Sequence, residues 1–309
     1  MNYRTVTAAC AIAAGFWAMV VPPAMGFCIR QTQDEQDLMA GLLGQPAGLS
    51  NIELSLGEVS TNLSGIYRGG DFLGLSSGVV LSTGQVDRLV GRNCADGRSP
   101  LIPEDQRAGC NGVVQGNRTD LNTDLVDLEA NQPLTPGNRY RFPKDIAVLD
   151  LDFTAEAGFL NLGYVFGSEE FVESTLNNDY LNIWLNGVNL AQLNDGQSVN
   201  VNNLVKPLDE GFQLNPDYID NAIIGSNPAN QITPLDGYTQ LLHLRGPLLP
   251  GRNNLRIELG DGPQDDDGYD SAVFLGQIQV EQVPGPSMLW GLLSLGGWKL
   301  RDWLRQKMR

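Results

Sequence analysis

The chain has 309 residues, 42% of them hydrophobic, and a formal net charge of −16. That length and apolar content suffice for a real core and exclude a wholly disordered protein. Setting aside Arg4, the five basic residues beyond Trp298 and Asp302 leaves 14 basic against 35 acidic residues, about −21. Such a field repels phosphate backbones and attracts cations, which excludes nucleic acid as a partner.

The N-terminus reads as a secretory signal over residues 1–26; the other reading is an uncleaved anchor, disfavoured because the apolar run is short and ended by Pro22 and Pro23. Arg4 supplies the positive start, Ala8 to Val21 is almost entirely apolar, and Ala24 and Gly26 place the cut before Phe27. Cys10 leaves with that segment. In an oxidising compartment the remaining cysteines favour a disulfide, and Cys94 and Cys110, with 15 residues between them, are the expected pair. Closing that loop stabilises by about 3 kcal/mol in the entropy model. Cys28 is then left over: free, paired between chains, or competing for one of the loop cysteines. With one histidine, His243, and no C-x-x-C spacing, a zinc site is disfavoured.

Downstream, EQDLMAGLLG after Asp34 predicts a short helix ended by Gly44. The texture then changes to short apolar runs with partial alternation: IELSLGEV, GVVLSTG, DIAVLDLDF, FLNLGYVFG, YLNIWLNG, QSVNVNNL, TQLLHLRG, NLRIELGDG and SAVFLGQIQVEQV. Gly, Asn, Asp and Pro separate them, so the expected fold is all-β, a single jelly-roll-like β-sandwich of nine or ten strands over residues 27–282. No helical pattern of useful length interrupts the runs, which argues against a βαβ fold. Residues 86–124 and 206–236 read as two long loops.

Beyond Val283 the texture changes again. Val283-Pro284-Gly285-Pro286 breaks the last strand, Met288 to Trp298 is apolar, and a basic end follows, so residues 283–309 read as a sorting or membrane-associating tail. The order resembles a PEP-CTERM sorting signal, with Gly285 standing where that family has Glu and an apolar run of only 11 residues. The other readings are a degenerate, inactive tail or an interfacial helix that lays Trp290, Trp298 and Trp303 on lipid.

In the body of the chain, the ordered series LSNIELSLG, GVVLSTG, LDLDF, YVFGSEEF, NNDYLNIWLNG, LDGYT, RIELGDG and DSAVFL resembles the choice-of-anchor L domain family, over nearly all of residues 37–280. The resemblance implies an exported β-rich domain joined to varied C-terminal sorting or anchoring signals. It implies no reaction and no catalytic residue.

The residues with chemical potential are acidic. Ser168-Glu169-Glu170 follows one strand run, Asn178-Asp179 opens the next, and Asp261, Asp265, Asp266, Asp267 and Asp270 crowd the approach to SAVFL. Strand ends gather at the rims of a sandwich, and converging carboxylates need a counter-charge. Calcium, which takes six to eight oxygen ligands, suits that need. The expected metal ligands are Glu169, Glu170, Asp179, Asp265, Asp267 and Asp270, with Asn178 as a neutral ligand. The alternative is a solvated acidic loop.

An enzyme reading is a secreted carbohydrate-active protein, with Glu169 or Glu170 and a loop aspartate as acid and base. Trp184, Tyr180, Tyr218, Tyr238 and Tyr269 would supply stacking, although Trp184 and Tyr180 share one side of a strand, where core packing accounts for them. His243, alone in LLHLRG, reads as a strand residue and not as a general base. No G-x-S-x-G occurs. The expectation is therefore an exported, non-enzymatic cell-surface or extracellular-matrix module, with an extracellular polysaccharide or surface proteins as partners. The tail would meet sorting machinery or membrane.

Overall fold

The computed structural model describes residues 26–44, 48–57, 63–91, 146–171, 178–208, 211–221, 229, 232–260 and 270–282. The expected signal, the sorting tail, Cys94, Cys110, Asp265, Asp267 and Tyr269 lie outside them. Among the described residues no helix is long and apolar enough to cross a membrane.

The architecture is a sandwich of antiparallel sheets. β1 (Cys28–Gln31) precedes α1 (Glu35–Leu43), which is followed by β2 (Leu49–Leu56), β3 (Ser64–Arg68) and β4 (Ser77–Ser82). After residue 145 come β5 (Ile146–Ala155), β6 (Gly158–Ser168), β7 (Tyr180–Leu185), β8 (Val188–Asn189) and β9 (Val199–Asn200). A helical turn α2 (Val201–Leu204) leads to β10 (Val205–Pro207), β11 (Phe212–Leu214), β12 (Tyr218–Asp220) and β13 (Gly237–Thr239). The chain continues through β14 (Leu242–Leu248), β15 (Gly251–Gly260), β16 (Ser271–Leu275) and β17 (Gln279–Gln282).

One large sheet runs β1-β3-β4-β16-β6-β13-β12, with β14 and β17 also on β6; the second runs β2-β5-β15-β7-β8, with β9 on β7; β10 and β11 pair as a separate two-stranded ribbon. Period-two alternation explains the second sheet. Ala147, Leu149, Leu151 and Phe153 of β5 and Leu255, Ile257 and Leu259 of β15 face inward. Asp150 and Asp152 face outward, where they pair with Arg256 at 2.7 Å and Arg252 at 3.2 Å. These pairs on the solvent-facing side, one exposed and one half-buried, add little stability; the apolar layer against Leu160, Leu162, Tyr164 and Phe166 of β6 holds the sheets together.

A second apolar layer covers the outer side of the first sheet. Tyr67, Val80, Val165 and Phe274 pack there with Phe27, and the Tyr67 and Phe274 rings meet edge-on at 5.4 Å. The turns at Asp71–Leu73 and Val86–Leu89 bury Leu73, Val86 and Leu89 against this side.

β6 is the spine of that sheet, and both of its flanks break step. On one flank Leu275 pairs with Tyr164 and Gln279 with Asn161, so three residues of the β16–β17 strand face two of β6. On the other, Tyr238 pairs with Gly167 and Leu242 with Tyr164, again three against two. Each flank therefore carries one extra residue, the mark of a β-bulge.

Several expectations need correction. Residues 206–236 are not one bare loop, since the described part carries β11, β12 and most of β10. QSVNVNNL makes only the two-residue β9 before Asn200 accepts from Asn203 N–H at 2.8 Å and starts α2. Trp184 and Tyr180 are not core residues: Leu181, Ile183 and Leu185 take the inner face of β7, leaving both rings half-buried on the outside. There Tyr180 donates to Glu258 Oε1 at 3.1 Å. α1 follows its expected bounds, with Asp34 Oδ1 accepting from Gln36 and Asp37 N–H and Gly44 at φ 56° closing it.

Candidate functional site

Antiparallel pairing makes β16 begin where β6 ends, and β4 ends beside that same point. Ser271 of β16 therefore stands opposite Ser168 of β6, and Ala272 opposite both Gly167 and Ser82. On the far side of β6, Gly237 of β13 also meets Ser168. Four motif segments, LSTG, GSEE, DGYT and DSAV, are thereby drawn to one rim by strand pairing alone.

Short polar contacts lock the rim. Glu169 N–H donates to Asp270 O at 3.1 Å, and Asp236 N–H donates to Ser168 O at 3.1 Å. Glu170 N–H donates to Ser168 Oγ at 2.9 Å. Ser271 N–H donates to Thr83 Oγ1 at 2.8 Å, while Ser82 Oγ donates to Ser271 O at 2.9 Å. The fifth motif segment, NDY, comes from the other sheet: Asp179 Oδ2 accepts from Ser271 Oγ at 2.6 Å. Asn178 Oδ1 accepts from Asn202 N–H at 3.1 Å and so is already used to seat α2.

The carboxylates here are not surface groups. Relative exposures are 2% for Glu169, 0% for Glu170 and Asp179, and 4% for Asp270. Asp236, Asn221 and Thr233 are buried too: Asp236 N–H bonds Ser168 O, Asn221 N–H donates to Asp236 O, and Asn221 Nδ2 donates to Thr233 O. Gly84 makes room for one of them, since a Cβ at that position would overlap the Asp270 carboxylate. A buried charge demands a counter-ion, a proton or a full set of donors, so this rim is chemically distinct from an acidic surface loop.

Of the expected ligands, the structure brings Glu169, Asp179 and Asp270 to one rim and places Glu170 next to Ser168. Asp265 and Asp267 lie outside the described residues. Among the described residues no group of three or more His, Cys, Asp or Glu side chains is close enough to hold a metal ion. Sequence reasoning missed Ser82, Thr83, Gly84 and Asp236 as members of the rim. The available signal was their place inside GVVLSTG and LDGYT, the same series as the acidic segments.

The choice-of-anchor L domain model matches residues 28–280. The chain belongs to the choice-of-anchor L family. No curated protein and no solved structure matches it. The choice-of-anchor L match begins at β1 and ends within β17, so it covers both sheets and every rim segment. Membership implies a surface-associated role for the domain.

Cys28 opens the matched region. It is disulfide-bonded, and the other half-cystine lies outside the described residues. A bond from Cys28 to either Cys94 or Cys110 excludes the closure of those two on each other.

The aromatic residues expected around a sugar-cleaving site are scattered. Tyr218 packs on Phe171 at 5.0 Å and Tyr238 against Phe72 at 6.2 Å, both inside the fold. Trp184 and Tyr180 lie on the outer face of the other sheet. None of these four forms an open platform beside the buried acids.

Proposed function

We propose that this choice-of-anchor L domain is an exported, non-catalytic module that works at the cell surface or in the extracellular matrix. Its C-terminal segment directs it there, and calcium stabilises its acidic rim. The observation that supports this reading is the burial of Glu169, Glu170, Asp179 and Asp270 where the motif segments meet. Acid–base cleavage of a glycosidic bond needs two carboxyls facing the sugar across about 5–10 Å of open cleft. Carboxylates shut off from solvent serve structure or a cation instead.

Calcium fits the donor chemistry. It accepts carboxylate, amide and backbone oxygens in an adaptable shell, all of which this rim offers. On this reading Asp265 and Asp267, which lie outside the described residues, belong to the ligand set. Glu169, Asp179 and Asp270 would contribute from the framework, and the ion would offset their mutual repulsion.

The surface role is tested by fractionating cells that produce the full chain or a version ending at Gln282, the last residue of β17. The full chain is expected on the cell surface, open to added protease, and the shortened chain in the medium with an unchanged melting temperature. Retention of both in the cytoplasm would refute the proposal. A large loss of stability in the shortened chain would show that residues beyond 282 belong to the fold.

A further inference from the structure

The described residues also form a cleft of about 320 Å³, far along β6 from the acidic rim. It opens on the outer face of the first sheet at Gly163, where the β16–β17 flank carries its bulge; the bulge of the β13–β14 flank lies just beyond, opposite Val165 and Phe166. Bulges re-aim side chains, and here they spread Leu241 on one side and Gln277 on the other away from regular pairing. The floor is bare because Gly163 and Gly276 have no side chains. A Cβ at residue 163 would stand 3.3 Å from Leu241, 3.4 Å from Leu75 and 3.6 Å from His243.

The lining is polar and almost uncharged. Ser76, Ser77, Asn161, His243, Gln277 and Gln279 surround the opening, with Leu75 and Leu241 as its apolar part. No Asp, Glu, Lys or Arg is among the described lining residues, in a chain of formal charge −16. Just beyond Asn161, Arg245 lies over the Phe159 ring and pairs with Glu281 at 3.0 Å; on the other side Arg68 stands opposite Ser77 in the ladder, outside the lining. Hydroxyl and amide groups both donate and accept, so the cleft offers paired hydrogen bonding without selecting an ion.

From this lining we infer that the cleft binds a short stretch of neutral saccharide. Phosphate and carboxylate ligands would find no cation in it, and a purely apolar ligand would strand its amides and hydroxyls. A peptide adding itself as a strand needs free backbone groups, yet at the floor Gly276 N–H is already spent on Gly163 O at 2.8 Å. A polyol meets side-chain donors and acceptors on the rim and lays its C–H face on Leu75 and Leu241. The volume lies at the small end of ligand sites, which span about 300–1,000 Å³. The inference deepens the binding-module reading, but rests on a face that shares no residue with the acidic rim.

Titration calorimetry of the full chain with neutral cello-, manno- and laminari-oligosaccharides, with acidic polygalacturonate fragments, and with a mixed peptide pool tests it. At least one neutral series is expected to bind saturably, with or without a chelator. Gly163→Val, which fills the floor, and the double substitution Asn161→Ala with Gln279→Ala, at a half-buried and an exposed position, should each weaken binding about tenfold or more. No binding by any neutral series, affinity unchanged in both variants, or saturation by the acidic fragments or peptides alone would overturn the inference. Surface display assayed by fractionation is read separately, so loss of saccharide binding leaves that result standing, and the converse holds.

Discussion

Ser271 Oγ donates to Asp179 Oδ2 across 2.6 Å, and this one bond joins the start of β16 in one sheet to the residue before β7 in the other. Both residues are fully buried. Hydroxyl-to-carboxylate bonds of this length are at the strong end of the range, and an enclosed carboxylate is costly to leave with fewer donors. Ser271→Ala is therefore expected to destabilise the domain by about 1.5–3 kcal/mol in urea unfolding. The penalty should shrink when Asp179→Asn is already present, because no charge is then left short of a donor. A loss under about 0.5 kcal/mol in the single variant would show that the two sheets do not depend on this contact.

Alkaline pH should loosen the core at a second point. Tyr164 donates to Gln192 O at 2.9 Å and accepts from Gln192 N–H at 3.0 Å. Burial pushes its ionisation up to about 12; the Asp217 charge adds to the shift and the Gln192 bond opposes it. Because the folded value lies above the unfolded one near 10, the native state holds the proton longer. Its contribution is complete below pH 10 and is lost as pH rises through about 12. Tyr67, Tyr180 and Tyr218 are raised too, first of all by burial, and steepen the same decline. Tyr164→Phe should cost about 1 kcal/mol at neutral pH yet flatten stability between pH 10 and 12. An unchanged alkaline slope in denaturant titrations would contradict this.

The cysteines give a covalent prediction. Cys28, on β1 beside Arg68 of β3, is disulfide-bonded. In exported protein that begins near Phe27, the expected result of non-reducing peptide mapping is Cys28 linked to a peptide holding Cys94 or Cys110. A free thiol at Cys28, with Cys94 joined to Cys110, would instead restore the loop closure expected from spacing.

Much of this framework could be read in the chain because β5, β6, β7 and β15 carry strong alternation and α1 carries both of its stop signals. β1 and β3 were missed because CIRQ and SGIYR have little apolar pattern; their pairing, Cys28 opposite Arg68 through Gln31 opposite Gly65, is a tertiary product. β11 and β12 hide in a Pro/Asn/Asp-rich stretch at three residues each. The gathering of acids at strand ends was legible from their positions. Their burial was not, since hydropathy places Glu and Asp outside, and only the small residues around them, Ser82, Gly84, Ser168 and Ser271, make an enclosed site possible. The cleft at Gly163 was illegible for another reason: it comes from two bulges, each fixed by register between strands distant in sequence.

Calcium is the direct test of the account as a whole. Thermal unfolding of the domain is to be followed in chelator, in Ca²⁺ and in Mg²⁺, for the native sequence and for Asp270→Ala, whose carboxylate lies against Gly84. If the enclosed acids hold an ion, Ca²⁺ raises the melting temperature saturably, by about 2.7 kcal/mol of added stability at 100 times Kd. Mg²⁺ does less because it keeps its waters and demands a tighter octahedral shell. The substitution should abolish the response while leaving the chelated protein folded, since removing one carboxylate also relieves repulsion. Melting curves that coincide in chelator and in Ca²⁺, for both proteins, would contradict the calcium reading and leave the rim as an internally satisfied polar network.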